Sequence, residues 1–284
     1  MRLGDYAPPQ GSERDRQRWL ARREADTASL TRSSLRRIVG GAYEAFTDTL
    51  TASADITALD SIPSAWAVFV DETLGPRILA LYLSGAQVGW AGMPWDPPAA
   101  FADRWAAVVN EYAVAYQAAA TNRLVGVGEN VWQHVRAATV RSLQDGTTNE
   151  ALKSEIEGIT RFSEYRADTI ARTETISAYV NGDRQGVEAL GDYGPVEKAW
   201  LAALDNRTRE SHAEADGQTV PMGEPFIVGG VAMNAPHDAS APPEEVVNCR
   251  CVVEYLYPGD LRPDGSNVPG DDVQIDRGAL VEDE

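Results

Sequence analysis

The segment Gly191-Asp192-Tyr193-Gly194-Pro195 constrains the fold of this sequence more than any other. Two glycines and a proline within five residues cannot continue a helix: glycine loses most entropy there, and proline lacks the N–H and meets the carbonyl four residues back. Before this breaker, apolar side chains recur at steps of three and four, the period of an amphipathic helix. After it, apolar runs are short, β-branched and punctuated by glycine, the pattern of strands and turns. The fold expected is therefore α+β. A large, mainly α-helical region covers 1–194, a small α+β module with a β-hairpin and a Cys-x-Cys strand covers 195–258, and an acidic tail over 259–284 is expected to be disordered.

Within the first region, Trp19, Leu30, Leu35, Ile38, Val39, Ala42 and Phe46 predict one or two helices between Ser12 and Leu59. Helices continue through "SAWAVFVDETLGPRILALYLSGAQVGW", with a break expected at Gly75-Pro76. The proline-rich "GMPWDPPAAF" is a loop, 101–120 and 127–145 read as helices, and His134 in the second of these reads as structural or exposed. Thr148 is a plausible N-cap for the helix that leads into "RADTIARTETISAYVNGDRQG". In the second region "VEKAWLAAL" has strand or short-helix character, and "DNRTRESHAEADG" reads as a helix capped by Asp205 and stopped at Gly217. "FIVGGVAM" has two apolar arms around a two-glycine turn, a hairpin signal.

Charge narrows the classes of partner. Lys and Arg number 25 against 43 Asp and Glu, a net charge of −18, which repels nucleic-acid phosphates from the surface as a whole. The basic residues gather at the front: residues 1–37 hold nine arginines against five acids, a basic arm or helix suited to local contact with DNA, while the chain ends on Glu282, Asp283 and Glu284. No run approaches the ~20 apolar residues of a membrane span, and "MRLGDYAPPQGSERDRQRW" lacks the apolar core of a secretory signal, so cytoplasmic synthesis and no membrane contact are expected. Two cysteines are too few for a disulfide framework, which fits a reducing compartment.

Those cysteines, in "EEVVNCRCVVEYLY", carry the chemistry. Strand alternation puts Val247, Cys249, Cys251 and Val253 on one face and Asn248, Arg250 and Val252 on the other, so both thiols face the packed side. With His212 and His237 they complete a Cys2His2 set of zinc-ligand types, without the usual Cys-x2-Cys spacing. The plainer reading keeps the thiols as small buried apolar groups and the histidines as hydrogen-bonded. Thiolate catalysis with His212 as base is disfavoured, because a strand interior covers the nucleophile. In "LDNRTRESH", helical spacing places Asp205, Arg209 and His212 on one face with an Asp205–Arg209 ion pair, which reads either as a capped, salt-bridged surface helix or as one that directs His212 and Arg209 at the cysteine strand. No phosphate-binding glycine loop, His-Glu-x-x-His or nucleophile elbow occurs.

The order "IARTETISAYVNGDRQG", "KAWLAALDNRTRESHAEADGQTV", "PFIV", "PPEEVVNCRC" resembles the phage Mu F-like head morphogenesis family, the phage minor head or minor capsid proteins, over about residues 160–255. The family motif carries over to Thr173 and Glu174 on the long helix, then to Trp200, Asp205, Arg207, Arg209, His212 and Gly217, and finally to Asn248, Cys249, Arg250 and Cys251. The departure is His237, where the family pattern has a small or acidic residue; a zinc set of His212, Cys249 and Cys251 is favoured over one that needs His237. The resemblance implies a non-enzymatic virion component inside the capsid, made in the host cytoplasm, that assists head assembly at the portal protein and inner capsid or scaffold and handles packaged DNA through the arginine-rich end. The rival is a zinc-dependent nuclease or hydrolase built on His212, Cys249 and Cys251.

Overall fold

The computed structural model describes residues 13–49, 56–94 and 99–269. Helices account for nearly all of the described residues up to residue 188. They are α1 (Glu13–Thr49), α2 (Ser61–Phe69), α3 (Gly75–Ala91), α4 (Ala99–Asp145) and α5 (Asn149–Glu188). The β-rich remainder holds β1 (Glu197–Leu201), α6 (Glu210–Glu214), β2 (Thr219–Pro221), β3 (Phe226–Val228), β4 (Val231–Met233), α7 (Pro243–Val246) and β5 (Val252–Leu256). The mainly helical region followed by a small α+β module is the architecture expected. Among the described residues no helix is long and apolar enough to cross a membrane.

The helices are fewer and longer than the sequence pattern suggests. The stretches 101–120 and 127–145 form one helix, since nothing between them breaks it and Gly126 and Gly128 sit inside α4. Gly75-Pro76 does not separate two helices. Just ahead of it Val70–Leu74 widens into a π turn, and the Gly75 N–H reaches back to the Val70 carbonyl. The wide turn opens the carbonyl ladder where proline cannot donate, so the chain keeps its helical course. Thr148 does cap α5, its hydroxyl accepting the Ala151 N–H at 3.2 Å.

The chain divides into two compact units. One is built from Arg18–Ala80 and Val114–Ile176. Its core holds Leu35, Phe46, Leu59, Ile62, Trp66, Leu74 and Leu124, all buried. Trp66 sets the packing: its indole N–H donates to the Leu124 carbonyl at 2.8 Å, and a Cβ on Gly128 would come within 2.5 Å of its ring. Ion pairs cross between α1, α4 and α5. Arg36 grips Glu164 at 2.8 and 2.7 Å, Arg123 grips Glu174 with both bonds at 2.7 Å, and Arg32 pairs with Asp168. Two of the nine arginines of the basic arm thus spend their charge on carboxylates of α5; residues 1–12 of that arm lie outside the described residues.

The other unit comprises Leu81–Ala113 and the chain from Ser177 on, with α1 residues up to Gln17. The expected boundary near 192–196 falls inside this unit. Here α3 and α5 meet backbone to backbone: a Cβ on Gly182 would lie 1.9 Å from the Tyr82 carbonyl oxygen, and one on Gly85 would lie 2.1 Å from that of Tyr179. Trp105 donates to the Gly186 carbonyl at 2.7 Å. The sheet runs β2-β1-β5, all antiparallel, with Ala199 opposite both Thr219 and Glu254 and Trp200 opposite Val253. β3 and β4 pair as the expected hairpin, and Gly229 and Gly230 take the positive φ its two-residue turn requires. The module core is Trp200, Phe226, Val228, Met233, Cys249, Cys251 and Val253. Residues 259–269, in the expected tail, fold back: Val268 is buried, and Arg262 holds Glu197 of β1 at 2.7 and 2.8 Å. Residues 270–284 lie outside the described residues.

Candidate metal centre

Three short elements bring the site together. β1 supplies Trp200, fully buried; its ring stands edge-on to His212 at 5.5 Å and to Phe226 at 5.4 Å. Gly217, with φ +77, turns the chain into β2 and donates to the Trp200 carbonyl at 2.8 Å, a conformation glycine adopts without penalty. Asp205 is not a helix cap. It closes a turn, accepting the Arg207 N–H at 2.9 Å, so α6 starts only at Glu210 and is five residues long. The Asp205–Arg209 pair is accordingly absent: Asp205 binds the guanidinium of Arg250, and Arg209 donates to the Val247 carbonyl.

The cysteines lie immediately before β5. α7 opens on Pro242-Pro243 and ends at Val246; Asn248 then takes φ +59, and regular strand begins at Val252. Val247 sits in this turn and is part-exposed, so the alternation expected from it begins only at Cys249. From there the faces separate as the sequence suggests. Arg250 reaches outward to Asp205, while Cys249 and Cys251 point inward, 1% and 2% exposed.

Both thiols converge on His212, itself 1% exposed. Its Nδ1 is 3.3 Å from Cys251 Sγ and 3.6 Å from Cys249 Sγ, and the Cys251 N–H points at Cys249 Sγ at 3.4 Å. The three ligand atoms lie within 4.8 Å of one another. On its far side the imidazole Nε2 meets Glu245 Oε2 at 2.8 Å, and the same carboxylate oxygen accepts from Ser211 Oγ at 3.1 Å. Burial opposes the charged imidazolium, but the Cys251 sulfur and then Glu245 outweigh it and raise the His212 pKa. The hydrogen bond from Cys251 lowers the Cys249 pKa, helped by Arg209 and Arg250. Cys251 is pushed well up, first by Cys249 and then by burial.

His237, the fourth candidate, is not in this group. It is buried at φ +61 in the loop after β4, where Asp238 caps the turn by accepting from the Asn234 and Ser240 N–H groups at 2.8 and 2.9 Å. Thr173 and Glu174 stand in the other compact unit, where Thr173 Oγ1 donates to the Thr169 carbonyl and Glu174 pairs with Arg123. His134 is exposed, its Nδ1 2.7 Å from the Asn130 carbonyl. Glu245 is the residue that sequence reasoning missed. It is one of 43 acidic residues, and no spacing to His212 marks it.

The part of the chain that holds this centre resembles a known family. The family model described as Phage Mu protein F like protein matches residues 133–254. The Minor head protein GP7 of Bacillus phage SPP1 is 30% identical over 130 residues, 45% of this chain and 42% of that protein. An NAD(+)--arginine ADP-ribosyltransferase EFV of Enterococcus faecalis is 30% identical over 152 residues, 52% of this chain and 31% of that protein. An uncharacterized protein of Haemophilus influenzae is 32% identical over 120 residues, 42% of this chain and 23% of its own length. The chain spans less than half the length of each of these relatives. No solved structure matches it. Residues 133–254, which carry His212 and both cysteines, are thus the part of the chain that is similar to the Phage Mu protein F like family.

Proposed function

We propose that this chain is a minor head protein, a non-enzymatic component of the virion that acts in head assembly close to the portal. The observation that carries this reading is the 30% identity with a minor head protein over 130 residues, beside the family match over residues 133–254 that include the centre. The chemistry of the site supports it. A nucleophile or a hydrolytic metal must meet substrate, whereas His212, Cys249 and Cys251 are all buried beneath Trp200, Phe226 and α7. In this reading the helical region docks on the portal or inner capsid, and the arginine-rich front of the chain makes any contact with packaged DNA. The test is co-expression of the chain with its cognate portal, capsid and scaffold. Proheads separated by sedimentation are expected to contain the chain, and loss of the portal is expected to reduce that incorporation; a chain that stays in the soluble fraction while proheads form would sink the proposal.

The match to an ADP-ribosyltransferase favours a second reading, an enzyme. The matched segment is 31% of that protein, so the shared part can be a common module attached to different functions. Incubation of the purified chain with labelled NAD+ and an arginine-rich acceptor separates the two, because transferred label supports the enzyme and its absence under conditions active for a control transferase supports the structural role.

A further inference from the structure

We propose that His212 Nδ1, Cys249 Sγ and Cys251 Sγ bind one zinc ion, with Glu245 as the carboxylate that orients the imidazole, and that this ion ties α6 to the segment entering β5. A tetrahedral zinc with Zn–N about 2.0–2.1 Å and Zn–S about 2.3 Å spaces its nitrogen and sulfur ligands about 3.6 Å apart. The observed separations are 3.3 and 3.6 Å. The second partner of the histidine fits equally well. A metal-ligating imidazole donates its other ring N–H to a carboxylate, which fixes tautomer and orientation, and Glu245 stands at 2.8 Å from Nε2. Glu245 is itself positioned, by the Ser211 hydroxyl and by the space beside Gly229, where a Cβ would come within 2.8 Å of its Oε1.

The same three side-chain types could form a Cys-His-Glu nucleophile triad, and two observations decide against it. A triad needs one thiol at the imidazole, while here two converge on the same nitrogen. A nucleophile also needs access, and neither sulfur has it. Zinc binding uses both sulfurs as thiolates, and a divalent ion balances their two charges in a place where uncompensated charge is costly. Among the described residues the group offers three protein ligands, which leaves the fourth position of a tetrahedron to a water.

The experiment uses the full chain, stripped of metal and then reconstituted with zinc or with cobalt(II). One ion per chain is expected by mass spectrometry of bound metal, and the cobalt form is expected to show sulfur-to-metal charge-transfer and tetrahedral ligand-field absorption. Cys249→Ser and Cys251→Ser are expected to lose these bands. Glu245→Gln is expected to keep them with affinity lowered about 10- to 100-fold, and His237→Asn is expected to bind as the wild type does. A folded wild-type chain, checked by circular dichroism, that takes up neither ion overturns the proposal without reference to the cysteine variants. Rapid alkylation of a single thiol in the native chain, or loss of binding in His237→Asn, overturns it as well. A metal-free chain that is still found in heads fails this proposal alone and leaves the minor-head reading standing.

Discussion

At the residue scale the module depends on a few positions whose backbone or polar partners allow little substitution. Gly217 takes φ +77, and the nearest obstacle to a Cβ is Pro263 at 3.6 Å, so Gly217→Ala isolates the cost of left-handed backbone. The loss expected is about 1–2 kcal/mol, read as a lower urea midpoint at unchanged slope. Asn248 holds a left-handed turn at φ +59, so Asn248→Val is expected to destabilise the module. Much at this scale is legible in the sequence, because glycine, asparagine, cysteine and histidine have special chemistry that their letters announce. Glu245 is not, since a carboxylate becomes a partner of His212 only after α7 has turned it toward α6. The Asp205–Arg209 pairing fails for a related reason: helical spacing holds only if a helix forms, and Asp205 spends Oδ1 on the turn that delays α6 while its carboxylate binds Arg250.

At the element scale the contact of α3 with α5 relies on glycines that face backbone rather than solvent. Gly182→Ala would drive a Cβ to 1.9 Å from the Tyr82 carbonyl oxygen, so the helices must part, and destabilisation of about 1–3 kcal/mol is expected from chemical denaturation. Periodicity shows which faces of these helices are apolar but not that two of them touch through glycine, and it cannot tell one long α4 from two shorter helices. The residues after β5 are held by Arg262 on Glu197. The hydrogen bond from Arg262 keeps the Glu197 carboxyl below its ordinary value against the opposing effect of burial. A depressed carboxylate contributes stability above its unfolded pKa of about 4.3 and loses it as pH falls below that. Wild type is therefore expected to melt above Glu197→Gln at neutral pH, with the gap closing as the buffer is taken from about pH 5 to about pH 3. A constant gap over that range would contradict the pairing.

At the scale of the whole molecule, the breaker at Gly191–Pro195 separates helical from α+β grammar, yet compactness follows a different line: Leu81–Ala113 and the end of α5 belong with the β-rich module. Long helices that pass through two units hide that division from any local reading of sequence. The net charge of −18 predicts that DNA contact, if the front of α1 makes it, is weak and falls steeply with salt; a fluorescence titration at two ionic strengths, with and without the residues before Arg18, reads both the contact and its place. The proposed role in the head rests on similarity over less than half of each relative, so the direct measurement is quantitative mass spectrometry of phage heads purified from cells that produce this chain. The account predicts peptides from it in the purified heads. Heads and proheads that lack it, from cells whose lysate contains it, would contradict the account.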